Sequence, residues 1–170
     1  FSFQAGVRGE NTIINTLSKS NNSGFTRQYF NLFPLASIDF KKSDNHNFSL
    51  SYNKRVNRPD YNLFNPFIVF NSALSSFQGN PNLKPEYSHD ISFTYSYKTF
   101  MNHSLSYQRT FNNFLDYSSQ NDTTKFNVSS IINLKWAEIV SYNLFIQKEL
   151  FKWWSISYTA QYTFFRYNSI

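Results

Sequence analysis

From Ile91 the chain reads Ile-Ser-Phe-Thr-Tyr-Ser-Tyr-Lys, a strict alternation of large apolar and small polar side chains. A period of two constrains a chain more than any composition does. Successive side chains of an extended strand face opposite ways, so alternation fixes both the element and its two faces. The pattern recurs near 1–10, 30–40, 47–56, 87–98, 104–114, 137–148 and 154–166, whereas a helical period is almost absent. In the last of these, Trp154, Ile156, Tyr158, Ala160, Tyr162 and Phe164 oppose Ser155, Ser157, Thr159, Gln161 and Thr163. The expectation is an all-β chain of seven strands, each about ten residues long.

The connections alternate as well. Those at 11–28, 57–86 and 115–136 are long and polar or proline-rich, while those at 41–47, 99–103 and 148–153 are short. In an up-and-down meander every second connection lies at the same end, so long loops gather at one end and turns at the other. Pro59, Pro66, Pro81 and Pro85 keep 57–86 out of any central ladder, because proline has no donor to give it.

A soluble sandwich would use strands of about five or six residues and a core face rich in Val, Ile and Leu. Here one face carries Phe and Tyr and the other Ser, Thr, Asn and Gln. Aromatics make up 21% of the chain, yet mean hydropathy is only −0.49. No run approaches the roughly 18 apolar residues of a transmembrane helix. A transmembrane barrel reconciles these facts, because its strands alternate between lipid and lumen and average out to polar. Long loops at one end and short turns at the other fit the same architecture. On that reading Ile91, Phe93, Tyr95, Tyr97, Trp154, Ile156, Tyr158, Tyr162 and Phe164 face lipid. Lys152, Trp153 and Trp154 mark the turn-side interface, since Trp has an apolar body and a polar tip. Seven strands are fewer than the minimum of about eight in a bacterial barrel. The whole chain, 1–170, is therefore expected to be part of one larger barrel domain.

Two stretches carry a family resemblance. "GNPNLKPE" at 79–86 resembles the Gly-Asn-Pro-x-Leu-Lys-Pro-Glu signature of TonB-dependent outer-membrane receptors. "YNKRVNRPDYNLFNPF" at 52–67 resembles the segment preceding that signature in the Bacteroidota-type outer-membrane β-barrel family. "FQAGVRGE" (3–10), "NLFPLASIDF" (31–40) and "KWWSIS" (152–157) fall in the same family order. The resemblance implies a transporter barrel of about 22 strands with an internal plug and import powered by TonB. Implied partners are outer-membrane lipid, the remaining strands and plug, TonB, and a surface lipoprotein or other envelope subunits. The implied location is the bacterial outer membrane, loops outside and turns in the periplasm. Within the signature, Gly79, Asn80, Pro81, Leu83, Lys84, Pro85 and Glu86 are expected to guide the chain from loop back into the wall.

Catalytic chemistry has little to stand on. There is no cysteine, which excludes thiol catalysis and Cys-based zinc sites. His46, His89 and His103 are dispersed, so no metal site is expected, and neither a cofactor nor an enzymatic role is implied. The net charge of +6 is scattered, without the Lys/Arg blocks of a nucleic-acid binder. Arg55, Arg58 and Glu86 cluster at the loop end of the third and fourth strands and are expected to brace the loops or line the lumen mouth. Two functions stay open: ligand uptake through a plugged polar lumen, or a non-transporting structural or assembly barrel. A secreted soluble sandwich is a third.

Overall fold

The computed structural model describes residues 1–18 and 23–168. Eleven strands follow in order: β1 (Ser2–Ser18), β2 (Ser23–Ser43), β3 (His46–Asn57), β4 (Ile68–Ser72), β5 (Ser75–Gln78), β6 (Glu86–Tyr97), β7 (Met101–Phe111), β8 (Phe114–Gln120), β9 (Asn127–Asn133), β10 (Trp136–Phe151) and β11 (Trp154–Asn168). Seven of them, β1, β2, β3, β6, β7, β10 and β11, form one sheet in that spatial order. Every neighbouring pair in it is antiparallel. Each overlaps one of the segments marked by alternation.

The register converts local alternation into continuous rows. Phe3, Ile38, Leu50, Phe93, Leu105, Tyr142 and Tyr162 lie side by side across all seven strands. One residue along, on the opposite face, lie Gln4, Ser37, Ser51, Ser92, Ser106, Ser141 and Thr163. A slip of one residue in any strand would bring an apolar side chain into the hydroxyl row, so the pattern itself specifies the register.

Two expectations about connections need correction. The stretch 11–28 is not a long loop in its described part: β1 and β2 stay paired from Asn11 opposite Phe30 to Ser18 opposite Ser23. Residues 19–22 of that stretch lie outside the described residues. Its composition, with polar residues at both parities, hid a paired ribbon that no apolar alternation marks. The β-branched Thr12, Ile13 and Ile14 still favour extended backbone. The β2–β3 ladder ends at Leu35 opposite Asn53, next to Pro34, which cannot donate to it. Beyond that point the β1–β2 hairpin runs on without β3.

The other two long connections are also structured. β4, β5, β9 and β8 form a second sheet in which β5 and β9 run parallel and the other pairs antiparallel. The stretch 115–136, read as a long connection, therefore contains most of β8 and all of β9. The four prolines of 57–86 all fall outside strands.

The buried apolar cluster sits among these loops, not on the wall. Phe64, Leu83 and Ile131 form it, with Leu63 and Phe114 packed against them. On the seven-stranded sheet the apolar row stays open: Leu50 is 46% exposed, Phe93 40% and Leu105 47%. Strands β3, β6 and β7 are flanked on both sides, so this is face exposure and not edge exposure.

Candidate functional site

The octapeptide 79–86 is the junction of three chain segments. Gly79 is required by space. A Cβ there would stand 2.5 Å from Asn65 O and 2.7 Å from Leu63 O. That closeness lets Asn80 N donate to Leu63 O at 2.7 Å. The Asn80 side chain closes an Asx turn, accepting from Asn82 N at 2.9 Å, and donates to Ile131 O at 3.1 Å. Leu83 is fully buried in the loop cluster. Its carbonyl and that of Pro81 accept from Arg27 of β2 at 2.7 and 2.8 Å. Lys84 contributes its backbone: its N–H donates to Asn133 Oδ1 at 2.9 Å and its carbonyl accepts from Asn133 Nδ2 at 3.0 Å. The Pro85 carbonyl accepts from Asn112 Nδ2 at 3.2 Å.

Glu86 ends the motif and begins β6. Its carboxylate accepts from Asn57 Nδ2 at 2.8 Å, from Asn113 Nδ2 at 2.9 Å and from the backbone N–H of Phe114. One buried anion thus joins the end of β3, the start of β6 and the start of β8. Charge-assisted bonds of this kind are about twice as strong as neutral ones.

The other two charges singled out in the sequence behave differently. Arg58 reaches β1, donating to Glu10 Oε2 at 2.6 Å and Thr12 Oγ1 at 3.1 Å. This tethers the loop after β3 to the β1–β2 hairpin. Burial and hydrogen bonding oppose each other at Glu10, but the bond from Arg58 dominates and holds its carboxyl below the usual value. Arg55 bonds, among the described residues, only its own strand neighbour Asn53, from Nε at 2.9 Å. Its guanidinium lines a polar recess of about 330 Å³ together with Asn57, Glu86, Ser88, Gln108, Thr110 and Asn113. Below the recess Asp90 accepts from Gln108 at 2.7 Å and from Ser88 at 3.3 Å. The recess lies at the loop end of the hydroxyl face.

The histidines form no metal cluster among the described residues. Each pairs with a tyrosine hydroxyl: His46 with Tyr95 at 2.9 Å, His89 with Tyr52 at 2.9 Å and His103 with Tyr142 at 2.6 Å. The six belong to the apolar face, where an unpaired imidazole would be costly. Sequence reasoning missed these pairs because they are cross-strand diagonals, visible only once register is known. At the turn joining β10 and β11, Phe151, Trp153 and Trp154 stack with centroids 5.6 to 6.3 Å apart.

Comparison with known proteins follows this geometry. No curated protein matches the sequence. Among solved structures, the siderophore receptor PirA from Pseudomonas aeruginosa superposes with a TM-score of 0.67 at 13% identity, over 97% of this chain and 34% of its own. The FrpB iron transporter from Neisseria meningitidis gives a TM-score of 0.64 at 14% identity, over 97% of this chain and 24% of its own. The Serratia marcescens hemophore receptor HasR, solved with its hemophore HasA and heme, gives 0.53 at 12% identity, over 94% of this chain and 30% of its own. The chain thus spans about a quarter to a third of the length of these structures. At such identities the likeness is one of fold: the seven-stranded sheet is a stretch of transmembrane β-barrel wall. The model of the outer membrane protein beta-barrel family matches residues 1–170, and the chain belongs to that family.

Proposed function

We propose that residues 1–170 form a wall segment of a TonB-dependent-type outer-membrane transporter, which takes up a ligand through a plugged polar lumen. The observation that carries this reading is the pair of opposed rows. A hydroxyl and amide row from Gln4 to Thr163 faces one way, and an apolar row from Phe3 to Tyr162 faces the other. Water suits the first row and hydrocarbon the second. Soluble monomers rarely leave so broad an apolar face open.

On this reading the remaining strands and the plug belong to the rest of the protein, and TonB supplies the energy for import. Loops 58–85 and 112–135 face the exterior, and the turns near Asp44, Lys98 and Lys152 face the periplasm. The recess beside Arg55 opens from the loops into the lumen. A guanidinium not tied to the loops suits an anionic group of an incoming ligand. PirA is a siderophore receptor, FrpB an iron transporter and HasR a hemophore receptor, and such roles fit an uptake barrel.

A second reading, a structural or assembly barrel with no transport of its own, draws on the loop sheet. On its strand β4 Phe70 is 70% exposed, and in the connection leading to it Tyr61 is 72% exposed. Such aromatics suit a protein partner, for instance a surface lipoprotein.

Two nitroxide labels on the full-length protein in bilayers test the wall reading. A label at Phe93→Cys should be accessible to oxygen and one at Ser92→Cys to a water-soluble nickel complex. The reverse, or equal access at both, overturns it. No ligand uptake at all would favour the second reading, and uptake that persists without TonB would overturn the TonB-powered import of the first.

A further inference from the structure

The outward face carries a second row that the transporter reading does not use. Two residues toward the loops from the row of Tyr52, Ile91, Tyr107, Val140 and Phe164 lie Lys54, His89, Arg109, Glu138 and Arg166, side by side on five strands. Parity puts them on the apolar face. Setting His89 aside, because Tyr52 takes its Nδ1, this leaves three cations and one carboxylate. Glu138 receives Arg166 at 2.7 Å and Arg109 at 3.4 Å. Both guanidinium groups also lie over Trp136, at 5.3 Å for Arg109 and 5.1 Å for Arg166. One anion and one indole therefore hold two cations in place, and the group keeps excess positive charge. The Nε of Arg109 is buried without a protein acceptor among the described residues, a state that ordinarily calls for one.

The height of the row matters. On β11, Trp154 belongs to the turn-side aromatic stack, and Arg166 is twelve residues further along. At about 3.3 Å per residue and a tilt of about 40°, that is roughly 30 Å along the membrane normal. The apolar band of an outer-membrane barrel is about 25 Å tall. The row thus falls one band height from the tryptophans, where acyl chains end and headgroups begin. Charges at midplane on this face would be costly; at this level the cost fades.

We propose that Arg109, Arg166 and Lys54 form an outward-facing site for a phosphorylated lipid headgroup of the outer leaflet. Arg109 and Arg166 arise from strands about two spacings apart, roughly 10 Å, and their guanidinium groups converge on Glu138; the amino groups that Glu138 leaves free can donate to phosphate oxygens. The proposal rests on the wall reading, because it needs this face to meet lipid.

The test uses the full-length protein in nanodiscs of zwitterionic lipid. The probes are a bisphosphorylated acyl glycolipid, its dephosphorylated form, and inorganic phosphate, with bound species counted by native mass spectrometry. The bisphosphorylated lipid should bind about tenfold tighter than the dephosphorylated one. Replacing both arginines (R109Q with R166Q) should abolish that preference. Lys148→Gln, a cation toward the turn end of the same face, should keep it. Equal binding of the two lipids, or a preference surviving R109Q with R166Q, overturns the proposal. Competition by millimolar inorganic phosphate alone would reassign the site to free anion and overturns the lipid assignment. Should the double variant fail to assemble, Lys54→Gln and a salt series on the native protein give the same decision. A two- to fivefold loss in each supports the proposal and no loss overturns it. Oxygen access at residue 93 without a phosphate preference sinks only this proposal. No oxygen access at residue 93 sinks the wall reading beneath it.

Discussion

Glu86 holds the side-chain amide of Asn113 at 2.9 Å across 27 positions of sequence. Through the same carboxylate, Asn57 and the Phe114 backbone join the junction. Two connections that sequence reading treats as separate are one body, and the wall strand β6 starts from its anchor.

Replacing Glu86 by alanine should therefore loosen both connections together. Each donor left without its acceptor costs about 1–3 kcal/mol, but none of that cost falls on the wall ladder. Limited proteolysis of intact cells should show faster cleavage within both 57–85 and 112–135, while heat-modifiable gel migration of the barrel stays unchanged. Unchanged cleavage counts against the junction.

Gly79→Ala should act at the same place by a different cause. The new methyl would meet the Asn65 and Leu63 carbonyl oxygens at 2.5 and 2.7 Å, both of them backbone. Relieving such overpacking costs about 1–3 kcal/mol. Amide exchange should quicken at Asn80, whose N–H bonds Leu63 O, and at Leu83, but not in β6 beyond Tyr87. Exchange at Asn80 as slow as in the parent chain would refute this.

Faces can be tested by neighbours. Phe93→Arg places a charge on the apolar row and should cost about 2–4 kcal/mol if that level is near midplane. Ser92→Arg, one residue away on the hydroxyl row, should be tolerated. Yields of folded, heat-modifiable protein in the outer membrane should differ sharply between the two. Similar yields would mean that the rows do not face different solvents.

The Glu10–Arg58 tether should depend on pH. Hydrogen bonding from Arg58 holds the Glu10 carboxyl below its ordinary 4.5. A carboxyl depressed in the folded state contributes above its unfolded value and loses that contribution as pH falls through the folded one. The tether should therefore hold unchanged from pH 7 down to about 5 and weaken only below the ordinary 4.5. Spin labels at residues 14 and 60 of the full-length protein should show a broadened distance distribution only in that acid range. In Arg58→Gln the distribution should be broad at every pH.

The sequence by itself determined the wall. Alternation is a property of neighbouring residues, so strand positions, faces and the parity of Phe93 against Ser92 follow without knowledge of any partner. Two of the three stretches read as long connections, 57–86 and 115–136, do separate wall strands, whereas most of 11–28 is itself paired. Only the tertiary structure decided the rest. Polar residues on both faces of 11–18 concealed a ribbon, because hydropathy marks a strand only when one face is apolar throughout. The parallel pairing of β5 with β9 unites residues some fifty positions apart, and no local signal encodes it. Arg55 and Arg58 look alike in sequence, yet one lines a recess and the other reaches Glu10, because the hairpin that carries Glu10 stands beside only one of them. The row from Lys54 to Arg166 appears only when five strands are set in register. A charge at a strand end is unremarkable alone; its meaning comes from what the neighbouring strand places beside it.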